Sequence, residues 1–392
     1  MGKTVAALDF GTSKVSAVIG RIESRGSIAI LGVGSVPYAG FRNNEWIEPE
    51  ALAADIRKAR KRCERRAHRR MRELYVVVPG EFTETLLRQV TMRPSGMDGL
   101  ITREDMDTLS RMAADYDKPV HYRLLHLNLL GASLDGTMVW QDPAGQMCSE
   151  VTAYLSCISA DGLFMESIEE LLGEMGLGVV EYVAAPLSTG RMVAESVPPD
   201  HTVIVIDSGY FTSDLIVIRN GSVLHHENIE LGGGHITSDL AVELGLSMYD
   251  AEFVKRRNPV GMATGAAPGR MAVDWSDRKL SVRMDDARAV MERRIEELAG
   301  IVSRSLMRLG LEMGKLTDVF LTGGGVSLIR GARETISREL GVMVHHYIPK
   351  APLLNSPVFT SAMGAVHWAF RNYTDPSLTW WDRLKKSFLE FI

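Results

Sequence analysis

The residues best suited to chemistry are aspartates placed at the ends of apolar strands, each followed by glycine and small hydroxyl side chains. Asp9-Phe-Gly-Thr-Ser-Lys14 follows the apolar run Val5 to Leu8. Gly11 lets the backbone turn tightly with its N–H groups uncovered, Thr12 and Ser13 add hydroxyls, and Lys14 adds a positive charge. A carboxylate in that setting suits a hydrated Mg²⁺ facing a nucleotide phosphate. It equally suits the polar turn of an ordinary β-hairpin, because Val15 to Gly20 reads as a returning strand. The pattern recurs at Asp207-Ser-Gly209 after Val203 to Ile206, and Thr212 and Asp214 follow. The next strand, Asp214 to Ile218, turns at Asn220-Gly221 into Ser222 to Glu227, a strong hairpin signal. Two matching units imply two similar halves, with Asp9 and Asp207 meeting across the cleft between them. A third element, Thr322-Gly323-Gly324-Gly325 after Val319 to Leu321, lets the backbone lie against a flat or phosphorylated ligand.

The elements that must position these loops follow from periodicity. A third strand, Ile28 to Val36, precedes a helix over Glu50 to Met71, with Leu52, Ile56 and Ala59 on one face. Leu74 to Val78 is a strand ended by Pro79-Gly80. Residues 81 to 160 change character: a helix over Arg103 to Tyr116, short strands including Leu124 to Leu130 and Glu150 to Ile158, and a Gly-rich connector between those two. They read as a small inserted α/β subdomain. A helix over Asp161 to Met175, a strand over Val179 to Val183 and a helix from Pro186 return the chain to the first half, and Pro198-Pro199 marks the boundary. In the second half, Leu231-Gly232-Gly233-Gly234-His235-Ile236-Thr237 reads as a loop before a helix with Asp239, Leu240 and Leu244. Glu252 and Lys255 fall on a further helix, Arg256 to Val273 on a long loop, and Asp285 to Leu309 on a long helix.

Composition is that of a soluble globular chain long enough for several domains. The net charge of −5 conceals a basic run: Arg57 to Arg72 holds ten Lys or Arg against one acid. Such a run suits nucleic acid or an acidic surface. Without interleaved aromatic residues or a base-reading motif, a solvated helix face is the simpler reading, and nucleic acid is not an expected partner. Cys63, Cys148 and Cys157 lack metal-site spacing and are odd in number, which points to a reduced, cytosolic protein. No apolar run reaches the roughly 18 residues of a membrane span, so membrane contact is expected to be peripheral. After a polar linker, Asn372 to Ser377, the segment Leu378 to Ile392 places Leu378, Trp381, Leu384, Phe388 and Phe391 on one helical face. Its charged residues share the rest of the surface, a pattern suited to a bilayer interface, to a partner or to the protein's own core.

These elements in this order resemble the actin/hexokinase/heat-shock-chaperone ATPase superfamily, and within it the FtsA family. Asp9 to Lys14 matches the first phosphate motif, Asp207 to Asp214 the second and Thr322 to Gly325 the adenosine motif. Gly32-Val-Gly34 with Gly40-Phe-Arg42, Asp142-Pro-Ala-Gly-Gln-Met147 and Ala251-Glu-Phe-Val-Lys255 are further points of likeness. The resemblance implies an α/β, duplicated actin-like fold: two lobes around a nucleotide cleft, an FtsA-type inserted subdomain and a C-terminal amphipathic helix. The expected division is 1–80 first lobe, 81–160 inserted subdomain, 161–197 return to the first lobe, 198–231 second-lobe core, 232–310 a second-lobe subdomain, 311–355 return to that core, 356–371 a closing helix of the first lobe, 372–377 linker and 378–392 membrane-targeting helix. It further implies ATP with Mg²⁺ held through Asp9 and Asp207. Gly11, Thr12, Ser13 and Lys14, with Gly209 and Thr212, would surround the phosphates. Gly233 and Gly234 would line the ribose, and Glu252, Lys255, Gly323, Gly324 and Gly325 would hold the adenosine.

The implied partners are the FtsZ C-terminal peptide, other copies of the chain in a homopolymer, other divisome proteins and membrane lipid. The implied location is the cytoplasmic face of the membrane at the septum. Two departures stand out. Tyr210 and Phe211 replace glycines of the second phosphate motif, and Ala185 stands where many superfamily members carry a Gln or Glu that positions water. An alanine cannot orient water by hydrogen bonding, so ATP hydrolysis is expected to be very slow or absent. No substrate pocket with a catalytic aspartate, as a sugar kinase needs, is evident. The alternatives are a PilM-like pilus-assembly protein, which would not need the aromatic terminal segment, and an ATP-hydrolysing chaperone-like ATPase.

Overall fold

The computed structural model describes residues 4–372 except 24–26, 44, 262–268, 276–277, 312–313 and 315. Strands β1 (Thr4–Phe10), β2 (Lys14–Ile22) and β3 (Ile28–Pro37) form an antiparallel meander. β1 is buried from Val5 to Phe10, which is why it reads as continuous apolar sequence rather than as an alternation. A small ribbon, β4 (Phe41–Arg42) and β5 (Glu45–Trp46), leads into α1 (Pro49–Ala67). Pro49 opens that helix and His68, in the left-handed region, closes it ahead of the expected Met71. Gly34 matters here: a Cβ on it would lie 1.9 Å from the Ala59 carbonyl oxygen of α1, so glycine sets the approach of helix to sheet. β6 (Glu73–Val78) then pairs parallel with β1.

The chain now builds a separate sheet from β7 (Thr83–Met92), β8 (Tyr122–Leu134), β9 (Thr137–Val139) and β10 (Val151–Asp161), in the order β7-β10-β8-β9. Helix α2 (Arg103–Ala114) covers one face. A reciprocal cap between Thr102 and Asp105 starts α2, an arrangement that contributes about 1 kcal/mol. Helix α3 (Gly162–Glu174) leads to β11 (Gly178–Ala184), completing a sheet of order β11-β6-β1-β2-β3.

Helix α4 (Ala185–Ala194) enters the second half, where β12 (Thr202–Ser208), β13 (Ser213–Arg219) and β14 (Ser222–Ile229) repeat the meander. α5 (Gly233–Leu244), α6 (Met248–Arg257), the hairpin β15 (Arg270–Trp275) and β16 (Arg278–Arg283), and α7 (Met284–Arg308) follow. β17 (Thr317–Thr322) pairs parallel with β12, and α8 (Ala332–Leu340) leads to β18 (Val344–His346). The second sheet runs β14-β13-β12-β17-β18, the same succession of antiparallel meander and two parallel strands as the first. The recurrence at Asp9 and Asp207 is therefore a duplication of the whole sheet. α9 (Thr360–Arg371) returns to pack on β1, β2 and β6, while α4 packs on β12, β13 and β14, and the two helices touch each other between the sheets.

Several elements differ from the sequence reading. α5 begins at Gly233, inside the stretch read as a loop, because the helix needs few side chains in its first turn and glycine there packs against a neighbouring loop. Arg256 to Val273 is not one long loop: α6 extends to Arg257 and β15 begins at Arg270. Part of the Gly-rich connector pairs as β9, turned by Asp135 and Gly136 at positive φ. Leu378, Trp381, Leu384, Phe388 and Phe391 lie outside the described residues.

Candidate functional site

β1 and β12 deliver Asp9 and Asp207 to a cavity of about 500 Å³ between the two sheets. It is lined by Gly11, Thr12, Ser13, Lys14, Gly209, Thr212, Glu252, Lys255, Gly323 and Gly324 together with both aspartates. Its size suits a nucleotide-sized ligand. Phe10 anchors the first loop from below. It sits in an aromatic cluster with Trp46 and Phe164, at centroid distances of 5.6 and 5.9 Å, and the cluster continues through Phe41 and Phe82.

The two loops meet directly. The Thr12 hydroxyl accepts from the backbone N–H groups of Tyr210 and Phe211, both at 3.1 Å. Adjacent backbone N–H groups of this kind suit an anionic oxygen, which would compete with the Thr12 hydroxyl for them. Tyr38 donates to the Gly11 carbonyl at 2.8 Å, and Gly11 N–H donates to the Lys14 carbonyl at 2.9 Å.

Charge in the cavity is strained toward a cation. Asp9 is 4% exposed and accepts from Ser361 on the first turn of α9 at 2.7 Å. Burial raises its pKa, opposed by Lys14 and that hydrogen bond. Burial, then the neighbouring charges of Asp214 and Asp9, push Asp207 up to about 7. Burial pulls Lys14 down to about 8 against the attraction of Asp9 and Asp207. Lys14 donates to the Val358 carbonyl and lies 4.2 Å from the Phe359 ring centroid, tying the first loop to the segment before α9. Among the described residues, no three His, Cys, Asp or Glu side chains are grouped as direct ligands of a metal ion. Two carboxylates on the same cavity, Asp9 buried and Asp207 partly buried, whose charged forms are penalised fit an ion that keeps several of its waters, as Mg²⁺ does.

Gly233, Gly234 and Gly325 do not line the cavity. They let loops pass one another: a Cβ on Gly233 would meet the Gly325 backbone at 2.6 Å, one on Gly234 the Tyr210 ring at 2.7 Å, and one on Gly325 the Gly209 carbonyl oxygen at 2.0 Å. The N–H groups of Gly233 and Gly234 donate to the Gly209 and Tyr210 carbonyls, and that of Gly325 to Ser208. Gly323 combines both demands, with φ of +87° and Asp207 Oδ1 at 2.4 Å from where a Cβ would sit. Lys255 lines the cavity, but its ammonium donates to the Gly233 carbonyl, Thr237 and Glu252 at 2.8, 2.9 and 2.7 Å. Glu252 also accepts from Thr237 at 2.6 Å, so the pair clamps α5 to α6 at the cavity wall.

Tyr210 faces the cavity, whereas Phe211 packs toward Arg42, whose guanidinium carbon is 5.8 Å from its ring centroid. Ala185 lines the cavity at the first position of α4. Tyr38, Ser361 and Glu81 are residues of the site that sequence reasoning missed. Glu81 adds a carboxylate to the wall beside Gly80 and Asp214, and only its position after the Pro79-Gly80 strand end could have drawn notice.

The family model described as Cell division protein FtsA matches residues 204–364, which carry the Asp207 loop, α5, α6 and the Gly triplet. FtsA of Neisseria meningitidis serogroup B is 26% identical over 375 residues, spanning 93% of this chain and 90% of its own length. Over nearly its whole length the chain is similar to FtsA. Escherichia coli K12 FtsA is 25% identical over 386 residues, with 93% and 90% covered. Among solved structures, the PilM–PilN type IV pilus biogenesis complex gives a TM-score of 0.64 at 20% identity, over 93% of this chain and 98% of that one. MreB 5 of Spiroplasma citri bound to AMPPNP gives 0.52 at 12% identity, over 94% and 96%. These structural likenesses establish an actin-like fold, in agreement with the fold class read from the sequence. The similarity to FtsA likewise agrees with the resemblance carried by the Asp9 and Asp207 motifs.

Proposed function

We propose that this chain is an ATP-binding, FtsA-type adaptor that tethers FtsZ filaments to the inner face of the cytoplasmic membrane at the division septum. The observation that carries the reading is the pair Asp9 and Asp207 on one cavity, at equivalent strand ends of a duplicated sheet, in a chain similar to FtsA over nearly its full length. In this reading, Asp9 and Asp207 hold hydrated Mg²⁺. The N–H groups of Tyr210 and Phe211 exchange the Thr12 hydroxyl for phosphate oxygens. Gly323 and Gly324 give the adenosine a flat wall beside Glu252 and Lys255, while Gly233, Gly234 and Gly325 hold that wall's loops together. Residues 81–160 form the inserted subdomain, and segment 378–392 supplies the membrane anchor.

ATP then acts as a ligand that fixes the angle between the lobes and favours self-assembly, because it contacts loops of both. Hydrolysis is very slow or absent, since Ala185 offers no hydrogen bond at the cavity wall where a water-orienting side chain would sit. Phosphate release on the order of one per second at saturating ATP-Mg would refute that part.

The test of the adaptor role is capture of this chain by an immobilised FtsZ C-terminal peptide. Retention that a scrambled peptide does not reproduce supports it. The likeness in fold to the PilM–PilN complex favours a second reading, a pilus-assembly role. Retention by the N-terminal peptide of a pilus membrane protein, with none by the FtsZ peptide, would replace the first reading with the second.

A further inference from the structure

We propose that the basic end of α1 is a second membrane contact, fitted to anionic lipid headgroups and acting on the same bilayer as segment 378–392. This rests on the reading of that segment as a membrane anchor. Its own charges nearly cancel: Asp382 and Glu390 stand against Arg383, Lys385 and Lys386, and Asp375 in the linker offsets the remaining positive charge. Such a segment brings apolar area to an interface but little net electrostatic attraction, and single weak anchors need a second, basic contact for stable binding. That contact must come from elsewhere on the molecule, on the side where the segment leaves it.

The fold puts it there. β2 runs from Lys14 at the cavity to Ile22 at the opposite edge of the sheet. α9 runs the same way, from Ser361, bonded to Asp9, to Phe370, packed at Gly20. Asn372, the last described residue, therefore lies at the edge farthest from the cavity. On the other face of the same sheet, α1 ends at that edge too, with Ala67 against Gly32. β6 starts there at Glu73, parallel to β1, so Arg69, Arg70 and Arg72 fill the connection along it.

Every Lys and Arg from Arg57 to Arg72 is exposed except Arg60, which is paired with Glu64 at 2.9 Å. Arg62 and Arg66 are fixed to the edge strand β3 through the Ser35 and Val33 carbonyls. Among the described residues, Arg65, Arg69, Arg70 and Arg72 form no ion pair. Exposed Glu23, Glu73, Glu174 and Glu195 are the acids at that end; Glu23 is paired with Arg21 and Glu195 with His367 and Arg371, so the unpaired basic residues prevail there. A flat array of unpaired guanidinium groups, with the apolar face of α1 wholly committed to the core, suits the phosphates of a bilayer surface. It lacks the exposed aromatic residues and base-reading side chains of a nucleic-acid site.

The test is co-sedimentation of the full chain with vesicles of phosphatidylcholine alone and with vesicles containing about a third phosphatidylglycerol. The unaltered chain, the quadruple variant Arg65→Glu, Arg69→Glu, Arg70→Glu and Arg72→Glu, and a chain truncated after Tyr373 are compared. Unchanged thermal unfolding of the quadruple variant serves as the folding control; if it does not fold, the corresponding four Arg→Gln substitutions replace it. The expected result is a preference of the unaltered chain for anionic vesicles of at least about tenfold, eroded by salt. The quadruple variant should lose that preference yet bind phosphatidylcholine as before. Equal binding of variant and unaltered chain to anionic vesicles overturns the proposal while leaving the anchor reading intact. Truncation without effect on either vesicle overturns the anchor reading. A salt-sensitive duplex-DNA shift lost in the variant, with no anionic-vesicle preference, would make α1 a nucleic-acid contact instead.

Discussion

His126 offers a quantitative test of how the inserted sheet is fastened to the rest of the molecule. It lies on β8, is 2% exposed, and its Nε2 accepts the Ala184 N–H at 3.1 Å where β11 passes into α4. Its ring meets Trp368 of α9 edge-on, with centroids 5.0 Å apart. Burial, then the nearby Arg191 guanidinium, pushes the imidazole down to about 3. The folded chain holds it neutral while the unfolded chain takes up a proton near pH 6.5, so stability is full above that pH and falls as pH drops toward 3. At pH 5 the loss from this residue alone is about 2 kcal/mol, at pH 3 about 4 kcal/mol, and the limit below that is about 5 kcal/mol. His126→Gln keeps an acceptor for Ala184 but cannot charge. Urea unfolding at pH 7.5, 6 and 5 should therefore show the unaltered chain losing about 2 kcal/mol more than the variant over that range. Equal pH slopes for the two chains would refute the reasoning, because His126 would then not be held neutral by burial.

Thr12→Val removes the shared acceptor of Tyr210 and Phe211 without changing side-chain volume. At about 1 kcal/mol per hydrogen bond, amide exchange at those two positions in nucleotide-free protein should accelerate about fivefold, or about thirtyfold where a single opening breaks both bonds, and unchanged exchange would show that Thr12 does not bridge the lobes. Asp9→Ala and Asp207→Ala should each abolish the Mg²⁺-dependent part of thermal stabilisation by ATP; about 2.7 kcal/mol is expected for the unaltered chain at one hundred times Kd. A Mg²⁺-dependent shift surviving in both variants would remove the aspartates from ion binding. Ala185→Gln should raise phosphate release above that of the unaltered chain, whereas Glu81→Gln should leave it unchanged. Release that is already rapid and is lost in Glu81→Gln would transfer the water-orienting role to Glu81.

The duplicated sheet was legible because Asp9 and Asp207 sit at the same point of equivalent hairpins, and such local patterns are written in consecutive residues. Gly323 and Gly324 were legible for the same reason. Ser361, which holds Asp9 from more than three hundred positions away, carries no local mark, and neither does the reach of Thr12 to the opposite loop. Gly233, Gly234 and Gly325 show the limit of composition: glycine that admits a ligand and glycine that admits another loop look alike in sequence. β7 escaped notice because its exposed positions do not alternate cleanly, and α5 because three glycines at its start conceal helical periodicity. Tyr210 and Phe211, conspicuous together in the sequence, stay edge-to-face at a centroid distance of 4.9 Å, yet only Tyr210 lines the cavity.

The central claim is that this chain links FtsZ filaments to a membrane in its ATP-bound state, and the most direct measurement images fluorescent FtsZ filaments over a supported anionic bilayer with the full chain present. The account predicts filaments held at the bilayer when ATP-Mg is supplied, and lost when Asp207→Ala or the chain truncated after Tyr373 replaces the unaltered protein. The chain itself coating the bilayer in ATP-Mg while FtsZ filaments remain in solution would contradict it.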